Sequence, residues 1–371
     1  MFKIKQKSKK TQARLGQLKT WHGEIKTPFF MPIATKAAVK NISTDELEKL
    51  GTQIILANTY HLYLQPGKQI IKKHGGIHEF LNWSKPILSD SGGYQVFSLA
   101  KIRKIKPDGV EFQSHLDGSK HLLTPVKSIK IQQSLGVDIM MALDVCPAGN
   151  ADFAAVRQAN EITYDWLKKC KQQWLKGNKK QLLFGIMQGS TFKNLRDESL
   201  GKISSLDLPG YAIGGLAVGE PRDKMYEILQ YITPKMPINK PRYLMGLGRP
   251  EEIVFAVKQG VDMFDCVIPT REARHGRLYQ FCAQSEKDSI ELFDNLFYKT
   301  LIVKNNQYKE NFEPINQASN LELLNTHSKA YLHHLFKTQE GLGLRLATLN
   351  NLEFYLELMR EIRQAIKANN L

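Results

Sequence analysis

The chain has 371 residues, enough for one large α/β barrel with insertions. Lysine and arginine number 52 against 36 aspartates and glutamates, a formal charge of +16 that suits a polyanionic partner, nucleic acid first, or else lysine enrichment for solubility. The four cysteines (Cys146, Cys170, Cys266, Cys282) form no CxxC pair, which excludes a disulfide framework and the usual zinc spacing and implies reduced thiols in a cytoplasm; no secretion signal and no membrane-length apolar run is read.

Residues 1–28 read as a strand pair, with Phe2–Lys5 alternating and Ala13–Leu18 and Gly23–Ile25 flanking a turn at Trp21-His22-Gly23. Eight short apolar runs follow: Phe29–Ala34, Gln53–Thr59, Pro86–Asp90, Asp138–Asp144, Leu182–Gly189, Gly210–Leu216, Arg242–Gly248 and Met263–Pro269. Each has the continuous apolar character of a strand covered on both faces. Helical patterns separate many of them. Ser43-Thr44-Asp45-Glu46 is a capping box, and Ala151–Leu175, Asn194–Leu206, Glu220–Ile232 and Pro250–Lys258 carry helical spacing. Parallel strands with helical crossovers predict a (β/α)8 TIM barrel over residues 1–276, although a doubly wound open sheet fits the same periodicity.

Two stretches depart from the plain barrel. Residues 91–123 hold a basic run, Lys101-Ile102-Arg103-Lys104-Ile105-Lys106, then a predicted hairpin of Val110–Leu116 and His121–Leu123 about Asp117-Gly118, suited to a lid or a nucleic-acid contact. Residues 277–371 form a predicted C-terminal subdomain with helices at Ser328–Gln339 and Leu352–Ala368.

The strand ends carry the chemistry. Asn58, Asp90, Asp144, Gln188, Gly214-Gly215, Gly246 and Asp265 fall at or near carboxyl ends, which converge at one mouth of a barrel. Each alone could be a turn-initiating cap; the set reads as a site. Asp265 ends the strand in Val261–Arg274 and is followed by a loop bearing Arg271 and Arg274. In Asp90-Ser91-Gly92-Gly93-Tyr94, the glycines allow backbone to approach a ligand and Tyr94 offers a flat platform. Ala212–Glu220 has glycines but no following Lys-Ser/Thr, so it is not a P-loop; Glu220 reads an amine-bearing ligand or caps the next helix. Two carboxylates at one mouth suit double displacement at a sugar carbon. A cationic rim suits a phosphate-bearing substrate, so the combination indicates N-glycosidic chemistry on a nucleic acid.

These stretches, with Ala57–Leu62, Gly185–Gly189 and Tyr243–Gly246, closely resemble bacterial tRNA-guanine transglycosylases, from about residue 11 onward. The resemblance implies a (β/α)8 barrel that exchanges guanine at the wobble position of GUN-anticodon tRNAs for prequeuine base. It implies Asp265 as nucleophile and Asp90 as general acid/base, and it places Asn58 and Ser91 in the substrate pocket. Asp144 and Gln188 would read the guanine edge, Gly215 would supply an N–H, and the Leu216 carbonyl, aided by Glu220, would meet the aminomethyl group. Tyr94 and Met245 would sandwich the base beside Cys146, while Thr270, Arg271 and Arg274 would hold the anticodon loop. Before Cys146 the family's usual glutamate is Val145 here. A homodimer and a cytoplasmic location are also implied.

The family binds a structural zinc through CxCxxC and a distant histidine. Those positions hold Ser319, Leu321, Leu324 and Asn350 here, so no cofactor or metal is expected. His327, His333 and His334 lack the spacing to rebuild a site. An apolar helix carrying Leu321, Leu324, Tyr331, Leu332 and Leu335, capped by Ser319 or Asn320, is the predicted substitute. Two other readings remain: a catalytically silent tRNA-binding relative, and a transglycosylase for another deazaguanine or nucleic acid.

Overall fold

Apolar runs too short for helices and uniformly apolar can only be strands buried on both faces, and all eight are strands in the computed structural model. The structure describes residues 1–99, 103–282 and 297–371. Pro32 splits the first strand into Phe29–Met31 and Ile33–Ala34. Phe29–Met31 pairs with the last strand, Met263–Asp265, and Ile33–Ala34 pairs with the second, Ile55–Ala57. One short segment therefore closes the sheet on itself. Every pairing in it is parallel, through Ile87–Ser89, Ile139–Met141, Leu182–Met187, Gly210–Ile213 and Arg242–Leu244. The open doubly wound sheet is excluded, because its outer strands could not meet.

Alternation divides the apolar side chains into two sets. Phe29, Met31 and Ile33 join Leu56, Leu88, Met141, Ile186, Ala212 and Met263 in the barrel interior. Phe30, Ala34, Leu244 and Phe264 belong to the larger layer shared with the helices. The amino-terminal segment is a three-stranded antiparallel sheet rather than a pair: Phe2–Lys7, Arg14–Thr20 and Gly23–Thr27. Its Phe2, Leu18 and Ile25 pack with the interior set and plug the end opposite the strand termini. Buried Arg14 fixes the plug through Nε and Nη2, 2.9 and 2.6 Å from the two Asp262 oxygens.

The predicted hairpin gains a third strand. Arg103–Lys106, Gly109–Gln113 and Lys120–Leu123 form an antiparallel sheet. Lys101 and Ile102 of the basic run lie outside the described residues. Phenol–imidazole hydrogen bonds, Tyr60–His115 at 2.8 Å and Tyr63–His121 at 2.9 Å, lock this sheet to the helix Thr59–Leu64.

The last helix runs Gly341–Lys367, beginning earlier than the apolar spacing implied. Thr348, Asn350 and Asn351 are polar, yet all three are fully buried. Asn351 donates to the carbonyls of Pro269 and Arg277, and Asn350 to that of Tyr279. The helix packs against Phe29–Met31, the strand paired with Met263–Asp265, and against the helix Ile268–Arg274 that follows Asp265.

The predicted single apolar helix at the family's zinc position is not what forms. Glu322–Thr326 is one short helix, His327 is extended, and Ser328 caps a second, Lys329–Lys337. Leu324, Leu332 and Leu335 are buried as expected, but Tyr331 is exposed, and Leu321 rather than Ser319 or Asn320 occupies the first cap position. Ser319 instead donates to Glu353 Oε2 at 2.5 Å, and the Asn320 N–H donates to Glu353 Oε1 at 2.8 Å. Asn316 donates to Asn350 at 3.3 Å. Hydrogen bonds to the long helix thus hold this loop. His333 bonds the Val303 carbonyl, and His327 that of Leu323.

Candidate active site at the barrel mouth

Strand ends place the polar residues together. Asp90 follows the third strand and Asn58 the second, and the two bond directly, Asn58 Nδ2 donating to Asp90 Oδ2 at 2.5 Å. Oδ1 accepts the Thr59 N–H at 2.8 Å and the Gly92 N–H at 3.2 Å. Burial nevertheless outweighs these donors and lifts the Asp90 carboxyl to about 6. It is thereby poised to give and take a proton near neutrality.

Asp265 ends the eighth strand, almost fully buried. The Tyr243 phenol donates to its Oδ1 at 2.6 Å and the Gly246 N–H to the same oxygen at 2.9 Å. Both bonds fall on one oxygen, leaving Oδ2 without a partner among the described residues. Burial raises the Asp265 carboxyl, and Tyr243 and Gly246 draw it back down. Tyr243 is held well above its ordinary value by burial and then by the Asp265 charge, so it remains a donor. Asp90 also acts on Tyr243, which brings both carboxylates into one field.

The base-reading candidates form a second cluster. Gln188 Nε2 donates to Asp144 Oδ2 at 2.7 Å, and Ser91 Oγ reaches Asp144 Oδ1 at 3.5 Å. Burial, with a small contribution from the Asp90 charge, lifts Asp144 to about 6 against the donors Gln188 and Ser91. Gln188 Oε1 is buried with no partner. Gly214 and Gly215 make room for this amide; a Cβ on Gly215 would lie 2.3 Å from Gln188 Oε1, and its φ of +63° favours glycine besides. The Gly215 N–H faces the Cys146 thiol, which burial pushes up to about 12 and so keeps protonated.

Glu220 neither caps the next helix nor stands free. It accepts the Ala217 N–H at 2.5 Å and the Val218 N–H at 3.0 Å within its own loop. Since a trans peptide sets C=O opposite N–H, this turns the Leu216 carbonyl away from Glu220. Tyr94 lies in the first turn of a short helix, Gly93–Leu99, and is 56% exposed, and Met245 is half-buried. Val145 is buried and its N–H bonds Thr163 Oγ1 at 3.0 Å.

The basic stretch after Asp265 is a helix, Ile268–Arg274, not a loop; Pro269 at its first turn needs no N–H partner there. Arg271 is exposed. Arg274 is half-buried and its Nη1 donates to the Thr270 carbonyl at 2.9 Å. Thr270 is buried, with its hydroxyl on the Val267 carbonyl. Among the described residues, the structure adds Tyr243, Thr59 and Arg196 to the groups that shape the site. Tyr243 was legible only through the alternation that points it inward with Met263, and Arg196 only through its place on one helical face with Ser199 and Ile203.

The whole chain bears comparison with known proteins. The family described as queuine tRNA-ribosyltransferase matches residues 8–371. The chain belongs to that family. It is 48% identical to the queuine tRNA-ribosyltransferase of Dictyoglomus turgidum, covering 100% of this chain and 92% of the relative. The Caldanaerobacter subterraneus protein of the same name is 49% identical, with 100% and 94% covered, and that of Fusobacterium nucleatum 48%, with 99% and 94% covered. Ser319, Leu321, Leu324 and Asn350, the four positions expected to face the family's structural zinc, offer no thiolate and no imidazole to hold one. No helix among the described residues is long and apolar enough to cross a membrane.

Proposed function

We propose that this member of the family is an active tRNA-guanine transglycosylase working by double displacement. The observation that carries the reading is the one-sided anchoring of Asp265: Oδ1 is tied down by Tyr243 and Gly246, and Oδ2 is free to attack. Oδ2 bonds to C1′ of the wobble ribose as the C1′–N9 bond breaks and its electron pair leaves with guanine. Asp90, protonated at the outset, gives its proton to the departing base. It then takes the N9 proton of the incoming base, whose N9 displaces Asp265 from C1′. The proton and the carboxylate both return to their starting states.

Asp144 and Gln188 read the N1–H and amino edge of the base, which must be turned out of the RNA stack to reach them. Tyr94 and Met245 flank its ring. The Gly215 N–H, released from Cys146, meets the 6-oxo group, and the Leu216 carbonyl meets the aminomethyl group of prequeuine base. Asn58 and Ser91 support Asp90 and Asp144. Arg271 and Arg274 hold the anticodon loop of GUN tRNAs from a helix that Thr270 stiffens. The enzyme works as a zinc-free homodimer in the cytoplasm. Asp265→Asn tests the mechanism: tRNA should no longer stay attached to the protein on denaturing gels, and an undiminished adduct would move the nucleophile elsewhere.

A further inference from the structure

Arg196 sits on the helix Lys193–Ser204, fully enclosed. Every hydrogen bond recorded for its guanidinium goes to a carbonyl. Nε donates to Ser190 at 2.8 Å, Nη1 to Gly214 at 2.7 Å and Met187 at 3.3 Å, and Nη2 to Gly215 at 3.0 Å. These carbonyls belong to two neighbouring strand ends, those bearing Gln188 and Gly215. No ion pair to Arg196 occurs among the described residues. A buried cation without a counter-charge is costly, and a planar fork is the one side chain able to serve several fixed acceptors at once.

The geometry has a directional consequence. A trans peptide points its C=O and N–H to opposite sides. Arg196 draws the Gly214 carbonyl to itself, which turns the Gly215 N–H the other way, toward Cys146 and the base pocket. Gly189 leaves room for this residue, since a Cβ there would lie 2.8 Å from the Arg196 backbone nitrogen and 3.0 Å from its Cδ. We propose that Arg196 is a positioning residue for base selection: it aims the Gly215 N–H at the 6-oxo acceptor of the incoming purine. Two peptides of one loop are then set by opposite charges. Arg196 holds the carbonyl of Gly214, and Glu220 holds the N–H of Ala217.

The inference rests on the transglycosylase reading, and direct binding separates the two. Guanine and 6-thioguanine are titrated calorimetrically into wild type, Arg196→Lys and Arg196→Met, with melting curves of each. 6-Thioguanine keeps the edge read by Asp144 and replaces only the 6-oxygen by a weaker acceptor. Wild type should prefer guanine by about tenfold, the worth of one good buried hydrogen bond. Arg196→Met should bind guanine at least about tenfold more weakly and lose most of the preference, with Arg196→Lys between, because an ammonium keeps the charge but not the fork. In exchange assays KM for the base should rise more than kcat falls. A merely structural role would weaken both ligands equally, and unchanged discrimination in folded variants overturns the proposal. If Arg196→Met does not fold, Arg196→Lys alone decides on the same ratio. Wild type that binds neither purine overturns the transglycosylase reading and this inference together.

Discussion

The Tyr243 phenol donates to Asp265 Oδ1 across 2.6 Å from inside the barrel, one strand away from the carboxylate it orients. Strands seven and eight pair in register at Tyr243 and Met263, so the bond follows from the sheet rather than from a flexible loop. Tyr243→Phe should therefore keep the fold and lower kcat by about tenfold or more, the loss of a hydrogen bond to a charged group. Removing a donor also raises the Asp265 carboxyl, so the acid side of the kcat profile should move to higher pH. A profile unmoved from wild type would mean that Tyr243 only fills space.

Asp144 is raised to about 6 by burial, so protonation below that pH removes an acceptor from the base pocket. KM for guanine should rise about tenfold for each pH unit below that point. Stability should move the opposite way. A carboxyl whose folded pKa lies above its unfolded 3.8 contributes stability that is complete below 3.8 and lost as pH rises through about 6. Asp144→Asn should thus melt higher than wild type at neutral pH, by up to about 3 kcal/mol, and match it under acid. Equal melting at neutral pH would show that Gln188 and Ser91 already balance the charge.

In the proposed mechanism Asp90 is the proton carrier for both halves of the exchange, so Asp90→Asn should slow formation and breakdown of the tRNA adduct alike, each by about 10²–10⁴. Rapid-quench gels would resolve the two phases. Loss of one phase only would assign the other to a different group.

Ser319 and Glu353 join the C-terminal loop to the long helix where zinc ligands would stand. Chelators should leave the melting temperature unchanged, and elemental analysis of untagged protein should find less than stoichiometric zinc. Glu353→Gln should cost about 1–3 kcal/mol, because it weakens two hydrogen bonds at once. A full equivalent of tightly held zinc would sink the idea.

Arg271 and Arg274 should act on RNA through charge. Replacing either by alanine should weaken tRNA binding and reduce the slope of log affinity against log salt by about 0.7 per lost phosphate contact. An unchanged slope would place the anticodon loop elsewhere.

The sequence by itself determined the eight buried strands and their polar ends, while closure of the sheet into a barrel was decided by the pairing of Phe29–Met31 with Met263–Asp265. Strands and polar ends are local: eight apolar runs of strand length, seven of them with Asp, Asn, Gln or Gly at or near the end, survive any packing that buries them. What needed tertiary structure were the groups whose partners lie far along the chain. Asn350 and Asn351 lie outside the helix predicted from Leu352 onward, and their place inside it follows from a strand edge more than 70 residues away that takes their amides. Ser319 resembled a helix cap until Glu353 claimed it, and nothing local in the sequence marked the four carbonyls from two strand ends that enclose Arg196. Periodicity records which face a residue occupies, but a buried polar group is explained only by the particular donor or acceptor that the fold brings to it.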